Sequence, residues 1–382
     1  MSDRSSERPE CRDARRIVLK VGSGVLTRNG AVNTRIFSEI ARQVAALRER
    51  GTEVILVSSG AIAMGAHELG WKTPGDSIPE KQAAAAVGQI GLVDLYRKRF
   101  ARHGHTVAQV LVTRAGMEDR ERFLNARHTL HKLLELGIVP IVNENDTVAT
   151  DEIRFGDNDN LSATIVNLVA ADLLVVLTDV DGLFREPPGE SAPKPRPIEV
   201  VEEITPEIER AAQGSPRAFG RGGMTTKLEA ARIAAHGGAA TVLCNGLRRN
   251  ILLRVVAGEN AGTLFRAGNR LGSRKHWLAF TTRTRGTLVI DDGAAKAVTE
   301  RGKSLLGAGI TEVRGDFGMG DPVACEASDG SEVARGLTAY SSEEIRRIVG
   351  LPAREIAQVL GYSNGDAVIH RDDLVLLREP PE

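Results

Sequence analysis

Cysteine is scarce in this chain of 382 residues, which contains three: Cys11, Cys244 and Cys325. An odd number of widely spaced cysteines provides neither a disulfide framework nor a cysteine-rich metal site. We therefore expect reduced thiols and a cytoplasmic protein.

Net charge and long apolar runs are also absent. Lys plus Arg number 50 and Asp plus Glu number 50, so the formal net charge at pH 7 is zero, which argues against binding nucleic acid through a wholly basic surface. The most apolar stretch, 163–177, contains Asn167 and Asp172 and does not suit a membrane span. The first sixteen residues mix acidic and basic side chains without an apolar core, so we predict a disordered polar arm rather than a signal peptide.

Short β-branched runs alternate with helical patterns through the first two-thirds of the chain. Strands are predicted at 17–21, 54–57, 107–112, 139–142, 173–177 and 241–243, and helices at 79–103, 118–136, 160–170 and 225–236. Near-continuous apolar strands separated by helices indicate an α/β fold, with a mainly parallel sheet covered by helices on both faces. Ligands bind beyond the carboxyl ends of the strands in such sheets, so the residues just after each strand are the candidates for a site.

The pattern changes after residue 267. Short strands predicted at 286–290, 310–313, 322–325 and 333–337, with helices at 293–302 and 342–349, indicate a small, mostly β, barrel-like domain. We therefore predict an arm at 1–16, a first domain at 17–267, a linker at 268–284, a β domain at 285–372 and a tail at 373–382.

Two of the strand ends carry groups that suit a phosphate. Lys20 ends the first strand and is followed by Gly22, whose small size lets a ligand approach the backbone, although a surface lysine would explain Lys20 alone. The glycine-rich run at 220–227 ends in Lys227 and leads into a helix, where free amides attract anions. No Walker motif or dinucleotide fingerprint accompanies them. Two lysines and a glycine-rich run fit another type of phosphoryl-transfer site, based on positioning and charge neutralisation.

Three other strand ends are polar. Ser58–Gly60 leads into a helix and suits an anion, or a plain helix cap. The acid and amide groups of 143–146 and 156–160 provide acceptors and donors for an ammonium or hydroxyl-rich ligand. The run at 178–183 suits nucleotide recognition, or a simple Asp-Gly turn.

In this order along the chain, these segments resemble the amino acid kinase family. The resemblance runs from about residue 17 to the C-terminus. Its most specific stretches are Ser59–Ala63, Met117–Arg127, Asn143–Asp146, Gly156–Ala163 and Gly222–Met224. The small β domain resembles a PUA domain, a module associated with RNA.

The resemblance implies ATP-dependent phosphorylation of the side-chain carboxylate of L-glutamate, the first step of proline biosynthesis, with Mg²⁺ on the nucleotide phosphates. Catalytic roles are implied for Lys20, Lys227 and Asp159, the acid that would hold both lysines in place. The implied glutamate-binding residues are Ser59, Gly60, Asp146 and Asn158. The implied ATP-binding residues are Lys20, Gly22, Thr178, Asp179, Arg221, Gly222, Gly223, Met224, Thr225, Thr226 and Lys227.

The resemblance also carries expectations about partners. A labile acyl phosphate product implies a functional link to a glutamyl-phosphate reductase, and a homo-oligomer, either dimer or tetramer, is expected. Two positions depart from the family pattern. Gly24 stands where a second Ser or Thr is usual, and Arg221 stands where a small or hydroxylated residue is common. We expect both departures to affect the affinity for the nucleotide and not the class of reaction.

Two other functions are alternatives to this one. A sister kinase acting on aspartate, acetylglutamate, carbamate or a nucleotide monophosphate is disfavoured by the clusters at 143–146 and 156–162 and by the C-terminal β domain. An RNA-binding protein would use a basic run with one aromatic residue. That run consists of Arg270, Arg274, Lys275, His276 and Trp277. Zero net charge and the set of residues expected for a kinase site make RNA binding at most a minor activity.

Overall fold

The computed structural model of the chain describes residues 8–28, 31–149, 158–185, 196–213, 223–268 and 283–377. The chain divides into two compact units, residues 1–271 and 272–382. Within the described ranges, none of the helices combines the length and the apolar character that crossing a membrane requires.

The first unit contains ten described strands. They are β1 (Arg16–Val21), β2 (Thr27–Arg28), β3 (Ala31–Val32), β4 (Glu53–Ser58), β5 (Val107–Val112), β6 (Val139–Glu144), β7 (Leu173–Thr178), β8 (Val200–Val201), β9 (Ala240–Asn245) and β10 (Thr263–Phe265). Strands β2 and β3 pair with each other, and the other eight form one sheet in the order β5-β6-β4-β1-β7-β9-β10-β8. Neighbours in this sheet run parallel, except that β10 is antiparallel to β9. The predicted, mainly parallel sheet is confirmed.

Helices cover both faces of this sheet. They are α1 (Pro9–Arg12), α2 (Ser23–Leu26), α3 (Thr34–Arg48), α4 (Ala61–Glu68), α5 (Ile78–Ala101), α6 (Arg114–Glu118), α7 (Arg120–Glu135), α8 (Asn158–Val169), α9 (Pro206–Gln213), α10 (Met224–His236) and α11 (Ile251–Val256). Leu19 of β1 belongs to one apolar cluster with Phe37 of α3 and Tyr96 of α5. Side chains alternate across a strand, so Lys20 faces the opposite side, the side on which α8 packs against β1.

Helices α4 and α5 pack backbone against backbone through two glycines. A Cβ atom at Gly65 would lie 1.7 Å from the carbonyl oxygen of Ala84, and one at Gly88 would lie 2.0 Å from that of Ala61. Only glycine fits such a close approach. The contact therefore fixes the first residue of α4, which follows the end of β4, against the middle of α5.

The second unit is a five-stranded, mainly antiparallel sheet with short helices. Its elements are β11 (Gly286–Ile290), α12 (Asp292–Thr299), β12 (Ile310–Gly315), β13 (Pro322–Glu326), β14 (Glu332–Leu337), α13 (Ser342–Ile348), α14 (Ile356–Leu360) and β15 (Leu374–Leu376). The strand order is β12-β11-β13-β14-β15, and β11 and β13 are the parallel pair. Fully buried side chains such as Leu288, Val323 and Tyr340 form its core. The mainly β character predicted for this part of the chain is confirmed.

The two chain ends differ from the predicted arm and tail. Residues 8–16 lie against the first unit, because Cys11 is fully buried and Arg8 Nη2 donates to Glu199 O (2.9 Å), Asn260 Oδ1 (2.7 Å) and Gly262 O (2.9 Å). A polar arm is therefore wrong for residues 8–16, and residues 1–7 lie outside the described part. At the other end β15 pairs with β14, so a tail beginning at 373 is also wrong. Most of the predicted linker at 268–284 lies outside the described residues, and that boundary stays a prediction.

Candidate functional site

A buried carboxylate lies between two buried lysines at the carboxyl edge of the sheet. Lys20 projects from β1, Asp159 from the first turn of α8 and Lys227 from the first turn of α10. Lys20 Nζ lies 2.5 Å from Asp159 Oδ1, and Lys227 Nζ lies 3.2 Å from Oδ2. Asp159 is fully buried, and Lys20 and Lys227 are only 5% and 8% exposed. Three residues that are distant in sequence thus form one charged cluster, as the resemblance implied.

The electrostatics of this cluster favour its ionised form. Burial alone raises the pKa of Asp159, but the charges of Lys20 and Lys227 overcome that effect, and the pKa falls to about 2. Burial lowers the pKa of Lys227, and the charge of Asp159 acts in the opposite direction. Two ammonium groups and one carboxylate give these three residues a net positive charge, which suits a phosphate.

The start of α10 supplies a second set of anion-binding groups. Gly223 caps this helix in an extended conformation and, as a glycine, makes no side-chain cap hydrogen bond to the first-turn amides. Amides at an uncapped helix start attract anions. Lys227 Nζ also donates to Gly223 O at 3.3 Å, which orients the lysine over the helix start. Met224 and Thr225 lie in this first turn, whereas Arg221 and Gly222 lie outside the described residues.

Thr226 contacts the charged cluster, although the resemblance placed it among the ATP-binding residues. Its hydroxyl lies 2.7 Å from Asp159 Oδ2 and 2.9 Å from Gly223 O. The hydroxyl has one hydrogen to donate, and the carboxylate is an acceptor, so Thr226 helps to hold Asp159 in place. The sequence offered no signal for this contact.

Gly22 lies beside Lys20, and its amide is not available to a ligand. Its N–H donates to Leu177 O at 3.0 Å and is therefore already engaged within the sheet. A Cβ atom here would lie 3.1 Å from Leu177 O and 3.7 Å from Lys20 Nζ. The value of glycine at this position is the space that it leaves beside the lysine.

The end of β4 combines a hydroxyl with an uncapped helix. Ser59 N–H donates to Val21 O at 3.2 Å. Gly60 has φ of 100°, a left-handed conformation that glycine adopts without strain, and no side chain caps α4 after it. Ser59 Oγ and the amides at the start of α4 thus lie at the carboxyl edge, next to the strand that carries Lys20.

Through hydrogen bonds to the end of β4, Asn158 connects that strand end with the charged cluster. Its Nδ2 lies 2.8 Å from Ser58 O, 3.0 Å from Ser59 Oγ and 3.0 Å from Asn143 Oδ1. The next residue along the chain is Asp159. The predicted glutamate-binding residues Ser59 and Asn158 therefore lie in direct contact, one residue away from the lysine-binding carboxylate.

The remaining predicted residues lie along the same edge. Asp146 is partly exposed in the turn after β6, three residues beyond the buried Asn143. Thr178 ends β7, and its hydroxyl donates to Asp179 Oδ1 at 3.3 Å. A Cβ atom at Gly24 would lie 3.4 Å from the Asp179 carboxylate, so the family's usual hydroxyl would fall beside this acid.

The carboxylate oxygens of Asp159 bind the two lysines and leave no free oxygen for a metal ion. Both oxygens of Asp159 are already engaged, Oδ1 by Lys20 and Oδ2 by Lys227 and Thr226. Among the side chains that the structure describes, no three His, Cys, Asp or Glu residues are grouped so that they could hold an ion. The predicted RNA-binding run at 270–277 lies outside the described residues.

Comparison with known proteins gives two family matches. Residues 15–245 match the amino acid kinase family, and residues 286–360 match the PUA domain. A glutamate 5-kinase from Paraburkholderia phymatum is 50% identical over 367 residues, covering 96% of this chain and 98% of the relative. A glutamate 5-kinase from Geobacter sulfurreducens is 50% identical over 365 residues, covering 95% and 98%. One from Burkholderia multivorans is 49% identical over 367 residues, covering 96% and 98%.

Proposed function

The chain belongs to the amino acid kinase family, and we propose that it phosphorylates the side-chain carboxylate of L-glutamate with ATP, the first step of proline biosynthesis. The products are ADP and L-glutamyl 5-phosphate. The observation that carries this proposal is the buried carboxylate of Asp159, which holds the ammonium groups of Lys20 and Lys227 together. The neighbouring contact of Asn158 with Ser59 supports an amino-acid site beside that cluster.

The chemistry needs no general base. A glutamate side chain has a pKa of about 4.3 and is already a carboxylate at neutral pH. One of its oxygens forms a bond to the γ-phosphorus as the bond from that phosphorus to the bridging oxygen of ADP breaks, and no proton is released. The protein contributes alignment of the two reactants and stabilisation of the charge on the transferred group.

The two lysines divide the charge stabilisation between them. We assign Lys20, at the end of β1 beside Gly22, to the phosphates of ATP. We assign Lys227, whose Nζ lies at the start of α10, to the phosphoryl group in transit. Asp159 is acceptor to both, and its low pKa keeps it ionised throughout the neutral range. Such preorganised charges act strongly in a buried site because little solvent has to rearrange during the reaction.

The glutamate end of the site is assigned to the carboxyl edge of β4 and β6. Ser59 and the amides at Gly60 and the start of α4 suit a carboxylate. Asn158 and Asp146 offer side-chain acceptors for an ammonium group. These groups lie on the other side of β1 from the proposed nucleotide end, so the two substrates would meet over Lys20.

The nucleotide end is assigned to the residues after β7 and at the start of α10. Thr178 and Asp179 follow β7 directly, and Gly223 to Lys227 provide amides and a cation. Mg²⁺ enters as part of the nucleotide substrate and, when bound, neutralises phosphate charge. Arg221 and Gly222 belong to the same proposed segment, outside the described residues.

The product suggests the partners. An acyl phosphate hydrolyses readily, so we propose that a glutamyl-phosphate reductase consumes it promptly. We place the reaction in the cytoplasm, where ATP is available and the three buried thiols stay reduced. A homo-oligomer and RNA binding by the PUA domain remain predictions.

The experiment is an ADP-release assay with purified protein and Mg²⁺-ATP. L-glutamate, L-aspartate, N-acetylglutamate and uridine monophosphate are compared as acceptors. We expect ADP release with L-glutamate alone. Turnover on another acceptor would agree with the roles assigned to the lysines but would contradict the assigned amino-acid pocket. No turnover with any acceptor would contradict the proposal.

A further inference from the structure

Three side-chain amides form a hydrogen-bonded relay from the end of β4 to helix α5. Asn158 Nδ2 donates to Ser58 O at 2.8 Å and to Asn143 Oδ1 at 3.0 Å. Asn143 Nδ2 in turn donates to Gln89 Oε1 at 2.8 Å. We call Asn158, Asn143 and Gln89 the amide relay.

The direction of the amide relay is set at its Ser58 end. The carbonyl of Ser58 is an acceptor and cannot donate, so the nitrogen of Asn158 must face it. That nitrogen also faces Asn143 Oδ1, which leaves Asn143 Nδ2 to donate to Gln89. A flipped amide at any of the three positions would bring two oxygens or two N–H groups together.

This polarity determines which group Asn158 leaves for a ligand. Its nitrogen is committed to Ser58, Asn143 and the hydroxyl of Ser59, so its oxygen points away from them. Within the part of the chain that the structure describes, no donor bonds to Asn158 Oδ1. A free acceptor at this place suits the ammonium group of an amino acid.

Gln89 is held where it can act on Asn143. It follows Gly88, the residue whose contact with Ala61 leaves no space for a side chain. Gln82 lies two turns earlier on the same face of α5, and its Nε2 donates to Ala149 O at 3.1 Å, in the segment that follows β6. Gln82 and Gln89, on one face of α5, thus each form a hydrogen bond with the segment that contains Asn143 and Asp146.

Of the two polar atoms in the Gln89 amide, the oxygen accepts a hydrogen bond and the nitrogen donates none among the described residues. Its Nε2 is buried, and among the described residues it has no hydrogen-bond partner. A buried donor without a partner destabilises the fold. The oxygen of Gln89 is therefore the group that this position supplies, and its acceptor is Asn143 Nδ2.

We propose that Gln89 is a positioning residue for substrate specificity: its Oε1 holds Asn143 in place, and Asn143 in turn helps to hold Asn158 with its Oδ1 toward the α-ammonium group of the amino-acid substrate. The inference rests on the proposed function, because it concerns the amino-acid end of the same site. Gln89 acts through Asn143 and Asn158 and does not itself touch the reacting atoms.

The test compares glutamate with glutarate, which has both carboxylates and lacks the ammonium group. In the full-length protein, Gln89→Met removes the acceptor while keeping the side-chain length. We expect the glutamate KM to rise about tenfold. The inhibition constant of glutarate, the KM for ATP and kcat should each change by less than about threefold. A general distortion of the site would weaken glutamate and glutarate equally, and that result would overturn the proposal.

A double-mutant cycle checks that Gln89 acts through Asn143. In an Asn143→Ala background, Gln89→Met should cause no further rise in the glutamate KM, and additive effects would contradict the relay. Gln43→Met is the matched control. Gln43 is a buried glutamine on α3 whose oxygen accepts from Leu252 N–H, and its loss should leave the glutamate KM unchanged.

A second variant tests the same role if Gln89→Met does not fold. Gln89→Asn keeps an amide but is too short to reach Asn143, and we expect the same rise in glutamate KM. Thermal unfolding identifies which variants are folded, and an unchanged glutamate KM in a folded variant would refute the role. Absence of glutamate-dependent ADP release from the unsubstituted protein would instead contradict the proposed function.

Discussion

Lys20 on β1 and Asp159 on α8 form a buried ion pair with 2.5 Å between Nζ and Oδ1. The pair joins a strand of the sheet to a helix that covers it. The second carboxylate oxygen of Asp159 holds Lys227 on a different helix. Because a buried charge is costly without a partner, the three groups depend on one another, and removing one changes the state of the other two.

Replacing Lys227 by alanine should lower kcat by about a hundredfold or more, because a preorganised charge is lost where the phosphoryl group is transferred. The glutamate KM should change only slightly. Steady-state kinetics with both substrates varied measures these effects. Lys98→Ala is the control, since Lys98 pairs with Asp94 on an exposed face of α5. Near-normal turnover in the Lys227 variant would refute the assigned role.

Asp159 should make stability depend on pH in the acid range. Its pKa is about 2 in the folded chain and 3.8 without these interactions, so its contribution is full above pH 4 to 5 and is lost as pH falls toward 2. The amount is on the order of 2 kcal/mol. Asp159→Asn should therefore be less stable at pH 7 and lose less stability than the unsubstituted protein between pH 5 and pH 2.

Urea denaturation midpoints of the two proteins across that pH range measure this difference. Asp94→Asn provides the comparison with a partly exposed carboxylate that pairs with Arg97 and Lys98. Equal loss of stability on acidification in the unsubstituted protein and the Asp159 variant would show that Asp159 is not the group that titrates.

Asp146→Ala should raise the KM for glutamate by about tenfold or more, because the carboxylate that we assign to the ammonium group of glutamate is lost. The KM for ATP should stay within about twofold, since Asp146 follows β6, on the opposite side of β1 from β7. Initial rates at varied glutamate and saturating ATP provide the measurement. An unchanged glutamate KM would place the amino-acid pocket elsewhere.

Gly24→Ser should lower the KM for ATP several-fold, because it restores the hydroxyl that is usual in the family, beside Asp179 and close to the proposed phosphate site. The backbone tolerates the change, since the new Cβ atom would lie 3.4 Å from the Asp179 carboxylate, an ordinary contact distance. Gly24→Ala is the matched control, which adds the Cβ without the hydroxyl. Equal ATP KM values in the serine and alanine variants would mean that the hydroxyl contributes nothing to nucleotide binding.

The sequence predicted the elements that have a strong local pattern. The strand at 107–112 has the predicted limits, and the strand at 173–177 extends by one residue to Thr178. Both are mainly apolar runs between polar residues, and Gln109 is the one polar residue within 107–112. The short strand β10 and its antiparallel pairing were not predicted, because three residues carry too little periodicity and their pairing with β9 depends on the rest of the sheet.

The resemblance named the residues that the structure brings together at the candidate site, and their roles stay predictions. The resemblance brought Lys20, Asp159 and Lys227 together, although 139 positions separate the first two. It could not show that the amide of Gly22 is engaged by Leu177 or that Thr226 contacts Asp159. The contact of Gln89 with Asn143 joins residues 54 positions apart, and it depends on the close packing of α4 against α5.

Trapping the product with hydroxylamine tests the central claim most directly. The full-length protein is incubated with Mg²⁺-ATP, L-glutamate and hydroxylamine, and ADP and γ-glutamyl hydroxamate are quantified by mass spectrometry. We predict equal amounts of the two products, neither of them formed without glutamate, and a comparable loss of both in Lys227→Ala. ADP formed without hydroxamate, or a hydroxamate formed only from another acid, would contradict phosphoryl transfer to the glutamate side chain.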